Sequence, residues 1–486
     1  MDQATFGLEQ PAAGIILKGA EMMNSKKMVV LFHPRTFHEQ NYRYYHVPYS
    51  LLSISSLVNR DKYEIVIWDN NLIQKDDFKP LLSSLGENLF CVGISSMIGY
   101  QIADGLSFAK QVRNYDKDIP IIWGGPLPTV LPEITINNPL VDIIVKGQGQ
   151  ITFPELLNGI EKNTLNEVNG IEFKENGITK KTNDRLFIGF NNFPEFSSVY
   201  DLVDLSSYIR ADEHISDRTI SFHSSQGCPF NCGFCSEVAL WNHRWGGFSA
   251  DKVVKDIRYL VKNFNINGIK FYDAEFFIDK KRTLDIATLL IEQDLKIKWG
   301  AAVHPLNLDR LNNKEFELLK HSGASRLLIG AESGVEDELI LVNKKTNKNM
   351  LKILAERCAK FDISASFTFV TGYPGMPSRN IQDTINFAAE LAHISPIHET
   401  KVHFYAPYPG TPLYEAAKTA GFKPPLTLEE WAFYDYYEIV TPWVDKKWES
   451  IVRNFNEGHY PYIDQDANSF KNDLKIKVCS LFDQKI

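Results

Sequence analysis

The chain has 486 residues, 44% of them apolar, and a formal net charge of −8. That length exceeds one ordinary core and implies roughly two to three domains, and the acidic balance argues against a broad nucleic-acid-binding surface. No run approaches the ~18 apolar residues of a membrane span, six cysteines are too sparse for a disulfide framework, and Gly14-Ile15-Ile16-Leu17 is too short for a signal-peptide core; a cytoplasmic protein is expected.

From about residue 27, short runs rich in Val and Ile alternate with helical segments. The runs are Met28-Val29-Val30-Leu31-Phe32, Glu64-Ile65-Val66-Ile67-Trp68, Cys91-Val92-Gly93-Ile94, Pro120-Ile121-Ile122-Trp123 and Val141-Asp142-Ile143-Ile144-Val145. Helices are predicted at 50–59 and 101–113, the second with Ile102, Leu106, Ala109 and Val112 on one face. Continuous apolar strands separated by helices predict a parallel sheet covered on both faces. Such sheets bind ligands at their carboxyl edge. The residues there are Ser95-Ser96-Met97-Ile98-Gly99, Gly124-Gly125-Pro126 and Gly147-Gln148-Gly149-Gln150. Glycines admit a bulky polar ligand close to the backbone, and the serine hydroxyls can bond amides or phosphates. A nucleotide cradle is not expected, since neither G-x-G-x-x-G nor a Walker lysine occurs. His33, His38 and His46 follow the first strand and read as surface histidines.

A second alternation begins near residue 218. Its strands are predicted at 218–223, 268–272, 297–302, 326–330, 364–370 and 401–405, with helices such as 251–263 and 348–360 between them. Six such units form a partial barrel whose site lies at the carboxyl ends of the strands. The first strand ends in Gly227-Cys228-Pro229-Phe230-Asn231-Cys232-Gly233-Phe234-Cys235. The C-x3-C-x2-C spacing puts three thiolates on one loop and suits a four-iron four-sulfur (4Fe-4S) cube with one open iron. Zinc, with His223 or His243 as fourth ligand, has the less apt spacing. Cys91, Cys358 and Cys479 sit in apolar runs and read as reduced core residues.

The cysteine loop resembles the signature of the radical S-adenosylmethionine (radical SAM) enzymes. The first half is similar to the cobalamin-binding domain that precedes many of them, through Gly93-Ile94-Ser95, Met97, Gly99, Gln101, Ile102, Trp123-Gly124-Gly125 and Val141-Asp142. Gln148 and Gln150 stand where that family usually has glutamates, and the D-x-H-x-x-G motif of a lower axial histidine is absent. The resemblance implies that Cys228, Cys232 and Cys235 ligate the cluster. It implies S-adenosylmethionine contacts from Asp273 and Glu275 after the second barrel strand, Glu332 and Ser333 after the fourth, and Phe234 near the adenine. It implies cobalamin contacts from Ser95, Ser96, Met97, Gly99, Gly124, Gly125, Pro126, Gly147, Gln148 and Gly149. His304 stands where many relatives have arginine.

The expected architecture is α/β: an N-terminal extension (1–25), a Rossmann-like doubly wound parallel sheet that binds cobalamin (26–150), a linker with small strands (151–215), a partial (β/α)6 radical SAM barrel (216–415) and a C-terminal region closing the barrel (416–486). In that region the aromatic stretch 431–437 and Trp443 would lie over the barrel mouth, either against substrate or as a plain hydrophobic lid. The resemblance implies a C-methyltransferase that makes a 5′-deoxyadenosyl radical, takes hydrogen from an unactivated carbon and transfers methyl from methylcobalamin. The alternatives are oxidative cyclisation or rearrangement without methyl transfer, and a non-catalytic cobalamin or iron–sulfur carrier. Implied partners are a small-molecule substrate, such as a natural-product or cofactor precursor, and an electron donor such as flavodoxin or ferredoxin.

Overall fold

The computed structural model describes residues 26–37, 46–434 and 441–457. The expected extension 1–25, His38, Cys479 and the chain beyond 457 lie outside the described residues.

The first sheet contains β1 (Lys27–His33), β2 (Tyr63–Asp69), β3 (Leu89–Ser95), β4 (Ile121–Gly124), β5 (Ile143–Val145), β6 (Ile171–Glu175) and β7 (Ile178–Lys181), in the order β2-β1-β3-β4-β5-β6-β7. The first five are parallel. Alternate residues of β1 serve two cores. Val29 and Leu31 pack with Leu51, Phe153, Leu156 and Leu157; Val30 and Phe32 pack with Leu81, Leu82, Phe108 and Val112. Helices Tyr49–Ser55 and Gly149–Lys162 therefore cover one face, and Lys79–Leu85 and Tyr100–Tyr115 the other. The first helix stops short of the expected residue 59. The hydroxyls of Ser55 and Ser56 donate back to the carbonyls of Leu51 and Ser53, and such back-bonding competes with helix continuation. The strand order reverses between β1 and β3, which places a ligand crevice at their carboxyl ends.

The expected linker does not stand apart. Helix Gly149–Lys162 crosses its first boundary and packs on the first sheet. Its strands β6 and β7 extend that sheet antiparallel.

The second sheet contains β8 (Arg210–Asp212), β9 (Ser216–Phe222), β12 (Gly268–Phe271), β13 (Lys298–Val303), β14 (Ala324–Glu332), β15 (Ser364–Thr371) and β16 (Glu399–Phe404), in the order β16-β15-β14-β13-β12-β9-β8. From β9 to β16 the pairs are parallel. A short hairpin, β10 (Ser225–Gly227) with β11 (Trp245–Gly247), stands after β9 and carries the cysteine loop. Amphipathic helices fill the crossovers. Ala250–Phe264 is typical: Ser249 accepts from the Lys252 N–H at its start, and Val253, Val254, Ile257 and Leu260 are buried. The sheet curls far enough to bring its two edges together. His214, just after β8, puts Nε2 2.9 Å from the Glu399 carboxylate at the start of β16. The β16 edge is covered by helix Lys447–Glu457, whose Asn456 side chain accepts from the Val402 N–H (2.9 Å) and donates to the Val402 carbonyl (2.7 Å). A side chain thus replaces a neighbouring strand.

The C-terminal segment corrects one expectation. Leu428, Trp431 and Tyr434 pack into the core of the first sheet, and Asn138 donates to Glu429 at 2.8 Å. Tyr434 also donates to the Pro407 carbonyl after β16, so these residues join the first sheet to the barrel. Trp443 donates to the Gly372 carbonyl at the end of β15. Residues 435–437 lie outside the described residues.

Candidate functional site

The carboxyl ends of the two sheets face one another across a cavity of about 470 Å³, within the range of small-molecule and cofactor sites. The first sheet contributes Ser95, Met97, Gly124, Gly125, Pro126, Gly147 and Gly149 from the expected cobalamin set. The second contributes His223, Gln226, Gly227, Tyr272 and Ala274, with Glu237 and Trp241 from the helix after Cys235. Ser96, Gly99 and Gln148 lie behind this lining. The Ser96 hydroxyl donates to the Met97 carbonyl, and Gly99 sits under the Tyr434 carbonyl.

Each of these groups is held by a traceable chain of contacts. The Met97 N–H donates to Gln101, whose amide donates to Thr36. Arg35 is buried and paired with Asp104 at 2.6 Å, and Asn70 donates to the same carboxylate. The loops after β1 and β3 are thereby fastened together. Gly125 has φ +95°, and a Cβ there would meet the Ser96 carbonyl at 3.0 Å and the Ser95 hydroxyl at 3.2 Å. Only glycine keeps this turn flat against the cavity. A Cβ at Gly147 would meet nothing within 4 Å, so the backbone there faces open space. This lining fits a large neutral macrocycle with amide arms.

His46 and His223 are not surface residues. His46 Nε2 lies 2.6 Å from the Tyr272 hydroxyl, and His223 stacks parallel to the Tyr272 ring at 6.2 Å. Burial, with Lys270 nearby, holds His46 down to about 3, and burial also lowers His223. Both imidazoles are neutral at pH 7. His33 is likewise enclosed, 3.1 Å from Asp69.

The cysteine loop begins at Gly227, φ +83°, where a Cβ would lie 2.2 Å from the Arg244 carbonyl across the hairpin. Cys228 and Cys232 are buried and Cys235 half-buried, all three as free thiols. Their sulfurs do not all lie within 4.8 Å of one another. A tetrahedral zinc ion holds thiolates about 3.8 Å apart, from bonds of about 2.3 Å; a cube takes each thiolate on a different iron. The two candidate zinc histidines are engaged elsewhere, His223 against Tyr272 and His243 at the Phe230 carbonyl. Burial pushes the Cys228 thiol up to about 12 and raises Cys235 as well, a cost that a coordinating metal reverses. The donor set and its spread fit an iron–sulfur cluster.

At the barrel strand ends, the Asp273 carboxylate accepts from the N–H groups of Ser224 and Ser225 and from the Ser224 hydroxyl. It is a strut beneath the cysteine loop. Glu275 accepts from the N–H groups of Phe277 and His304 and from Asn307. Burial pushes it up to about 7 despite these donors. The His304 ring stacks on Phe230 at 3.9 Å and 11°, so its neutral ring supports the cysteine loop. Glu332, at φ +63°, forms a buried ion pair with Lys344 at 2.7 Å. Burial opposes the charge on Lys344, but Glu332 together with the nearby Cys232 and Cys235 raises the ammonium above its usual range. The Ser333 hydroxyl donates to Glu338 at 2.5 Å and accepts from the Val335 N–H. Phe234 packs near Tyr373.

Sequence reading missed Gln226, Glu237, Tyr272, Asn307 and Lys344. Gln226 and Glu237 each lie two positions outside the cysteines, a signal available in the sequence. Lys344 carried none.

Known protein families match both halves of the chain. The radical SAM superfamily model matches residues 222–388, and the B12 binding domain model matches residues 40–157. An uncharacterized methyltransferase of Pyrococcus horikoshii is 28% identical over 375 residues, covering 76% of this chain and 78% of that protein. An anaerobic magnesium-protoporphyrin IX monomethyl ester cyclase of Rubrivivax gelatinosus is 24% identical over 66% of this chain; the match spans 57% of the cyclase. The radical S-adenosylmethionine methyltransferase TsrM of Kitasatospora setae, solved with cobalamin and a [4Fe-4S] cluster, superimposes with a TM-score of 0.64 at 16% identity, over 81% of this chain and 75% of that one.

Proposed function

Because the chain belongs to the cobalamin-dependent radical SAM enzymes, we propose that it methylates an unactivated carbon of a small molecule, a natural-product or cofactor precursor. The observation that carries this reading is the shared cavity. Strand ends of the B12-binding sheet and of the barrel open into one space that reaches the cysteine loop through Gly227 and Glu237. When bound, the cluster, S-adenosylmethionine and corrinoid supply an electron, a hydrogen-abstracting radical and a transferable methyl group.

The protein's own residues do the positioning. Cys228, Cys232 and Cys235 hold the cluster, with Asp273 bracing the loop through Ser224 and Ser225. Glu275 receives the methionine ammonium, a charge-assisted contact. Glu332 and Phe234 face the nucleoside side. The turns at Gly125 and Gly147 let the backbone approach the corrinoid. Trp241, Leu240 and Phe196 keep water from the space between the two sheets. A low-potential carrier such as flavodoxin or ferredoxin delivers the electron. No helix among the described residues is long and apolar enough to cross a membrane.

The test is anaerobic reconstitution with iron, sulfide, hydroxocobalamin and S-adenosylmethionine under a strong reductant. Methyl transfer yields S-adenosylhomocysteine and 5′-deoxyadenosine together, with corrinoid retained through gel filtration. Deoxyadenosine alone shifts the reading to cyclisation or rearrangement, the chemistry named for the Rubrivivax relative. Neither by-product means a carrier. Replacing all three loop cysteines by alanine abolishes deoxyadenosine; full activity in that variant removes the cluster assignment.

A further inference from the structure

The cysteine loop has two sides. One opens on the cavity through Gly227. The other reaches solvent: Pro229 and Asn231 are exposed, although Cys228 and Cys232 beside them are buried. The electron that the proposed chemistry consumes has to enter from outside the chain, and this outer side is the short way in.

Three elements meet there, and each brings a cation. Arg244 leads into β11 and its carbonyl lies against Gly227; its neighbour His243 meets the Phe230 carbonyl at 3.4 Å. Phe230 stacks on His304, which caps the short helix Pro305–Asp309, and Arg310 closes that helix. On the third element the Asn343 amide donates to the Asn231 carbonyl at 2.9 Å, and Lys345 follows two residues later. The charges of Arg310 and Lys345 both bear on the His304 ring, and that of Lys345 on Cys232 as well.

Arg244, Arg310 and Lys345 are exposed, and none of their side chains forms a hydrogen bond or ion pair with a described residue. Asp309, next to Arg310, faces Arg357 at 4.0 Å. The acids of helix Glu336–Leu341 occupy its first turn, the end away from Lys345. At the end that leads to Lys345, Ile340 and Leu341 are 76% and 39% exposed and add an apolar step. Unpaired cations grouped beside exposed apolar side chains stand out on a chain of net charge −8. An acidic protein is repelled by such a chain as a whole and steered to this one face. Redox encounters are among the smallest specific protein interfaces, so a face of this size is sufficient.

Taking the cluster and its radical chemistry as given, we propose that this face is the docking site of the electron donor, a small acidic redox protein seated on Arg244, Arg310 and Lys345 at the outer edge of the cysteine loop. One electron passes from the reduced carrier to the cluster. The carrier is oxidised by one electron, the cluster is reduced by one, and no bond is made or broken.

The probes are a reduced flavodoxin and a reduced ferredoxin, both acidic, mixed in stopped flow with the full chain reconstituted with cluster and hydroxocobalamin. The readout is the rate of cluster bleaching. The triple variant Arg244→Glu, Arg310→Glu, Lys345→Glu is expected to lose ~10-fold or more in that rate at low salt, the scale of electrostatic steering. A control triple variant, Lys79→Glu, Lys110→Glu, Lys117→Glu, makes the same change in net charge on helices Lys79–Leu85 and Tyr100–Tyr115 and the turn after them, and is expected to lose much less. The wild-type rate should fall as salt rises from about 0.01 M to about 0.1 M, where the screening length shortens from about 30 Å to about 10 Å. Photoreduced deazariboflavin, small and uncharged, should reduce the cluster equally fast in all three proteins. If the charge-reversed protein does not hold its cluster, Arg244→Gln, Arg310→Gln, Lys345→Gln carries the same comparison, with a smaller loss expected. Equal rates in wild type and variant, an equal loss in the control, a wild-type rate indifferent to salt, or a wild-type cluster that deazariboflavin reduces and neither protein carrier does each overturns the proposal. A loss that extends to deazariboflavin also overturns it, by assigning the three side chains to support of the cluster. A wild type that holds no reducible cluster is a different result, and strikes the radical reading itself.

Discussion

The Gln148 side-chain amide donates to the Gln226 oxygen at 2.8 Å, joining the loop after β5 to the strand that enters the cysteine loop. Gln148 is otherwise saturated: it accepts from the Ile188 N–H and donates to the Ile188 carbonyl. The relatives it resembles usually carry glutamate here, and this chain uses an uncharged pair instead. Gln148→Glu would put a carboxylate with two lost donor bonds at a site only 6% exposed. We expect it to lower stability by about 3 kcal/mol, as an unpaired buried charge does, and to reduce corrinoid retention. Adding Gln226→Arg supplies a matching donor. The double variant should recover at least ~1 kcal/mol relative to the sum of the singles. Additive melting temperatures would show that the two side chains do not couple the domains.

Trp431 is fully buried in the core of the first sheet although it lies some 300 residues after that sheet's central strands. Trp431→Ala should cost about 3–5 kcal/mol. The loss should appear in the B12-binding domain, as early proteolysis within residues 26–162 and weaker corrinoid retention. Damage confined to the barrel would contradict this packing.

The case of Trp431 shows where sequence reading stopped. The five parallel strands of the first sheet were legible because helices cover both its faces, so they read as short apolar runs, whereas barrel strands such as Ser364–Thr371 mix polar with apolar residues. The cysteine loop was legible from three residues, since their spacing is itself the chemistry. The partners of those groups were not. That the Asp273 carboxylate accepts from the N–H groups of Ser224 and Ser225 is announced by no spacing in the sequence. The aromatic stretch read as a lid because composition records apolarity and not the surface it meets. Lys344 lies in the polar turn after helix Glu336–Leu341, and only the fold returns it to Glu332 at the end of β14.

That ion pair supports a third prediction. Lys344 and Glu332 are both more than nine-tenths buried, so removing one charge strands the other. Lys344→Met should destabilise the barrel by about 3–5 kcal/mol, whereas Lys344→Met with Glu332→Gln should recover much of that loss. Calorimetric melting of the wild type and the two variants checks it. Equal melting of the single and double variants would mean that the pair contributes through packing alone.

Glu275 gives a pH test. Burial raises its carboxyl from an ordinary value near 4.5 to about 7 in the folded protein. At pH below the unfolded value both states are protonated and the carboxyl imposes no penalty. Between about 4.5 and 7 the unfolded state releases its proton while the folded state keeps it, so stability falls as pH rises and levels off above about 7. The total is on the order of 3 kcal/mol, at ~1.4 kcal/mol per pH unit. Glu275→Gln keeps an oxygen for the Phe277 and His304 N–H groups, and the Asn307 amide can turn to accept from the new one. The wild type should therefore lose stability relative to Glu275→Gln between pH 5 and pH 8, measured by urea denaturation of the ligand-free protein at fixed ionic strength. S-adenosylmethionine should narrow the gap at pH 8, because its ammonium favours the carboxylate and stabilises the folded state through binding. Parallel stability curves for the two proteins would place the Glu275 carboxyl at its ordinary value, and a gap untouched by S-adenosylmethionine would remove Glu275 from the ammonium site.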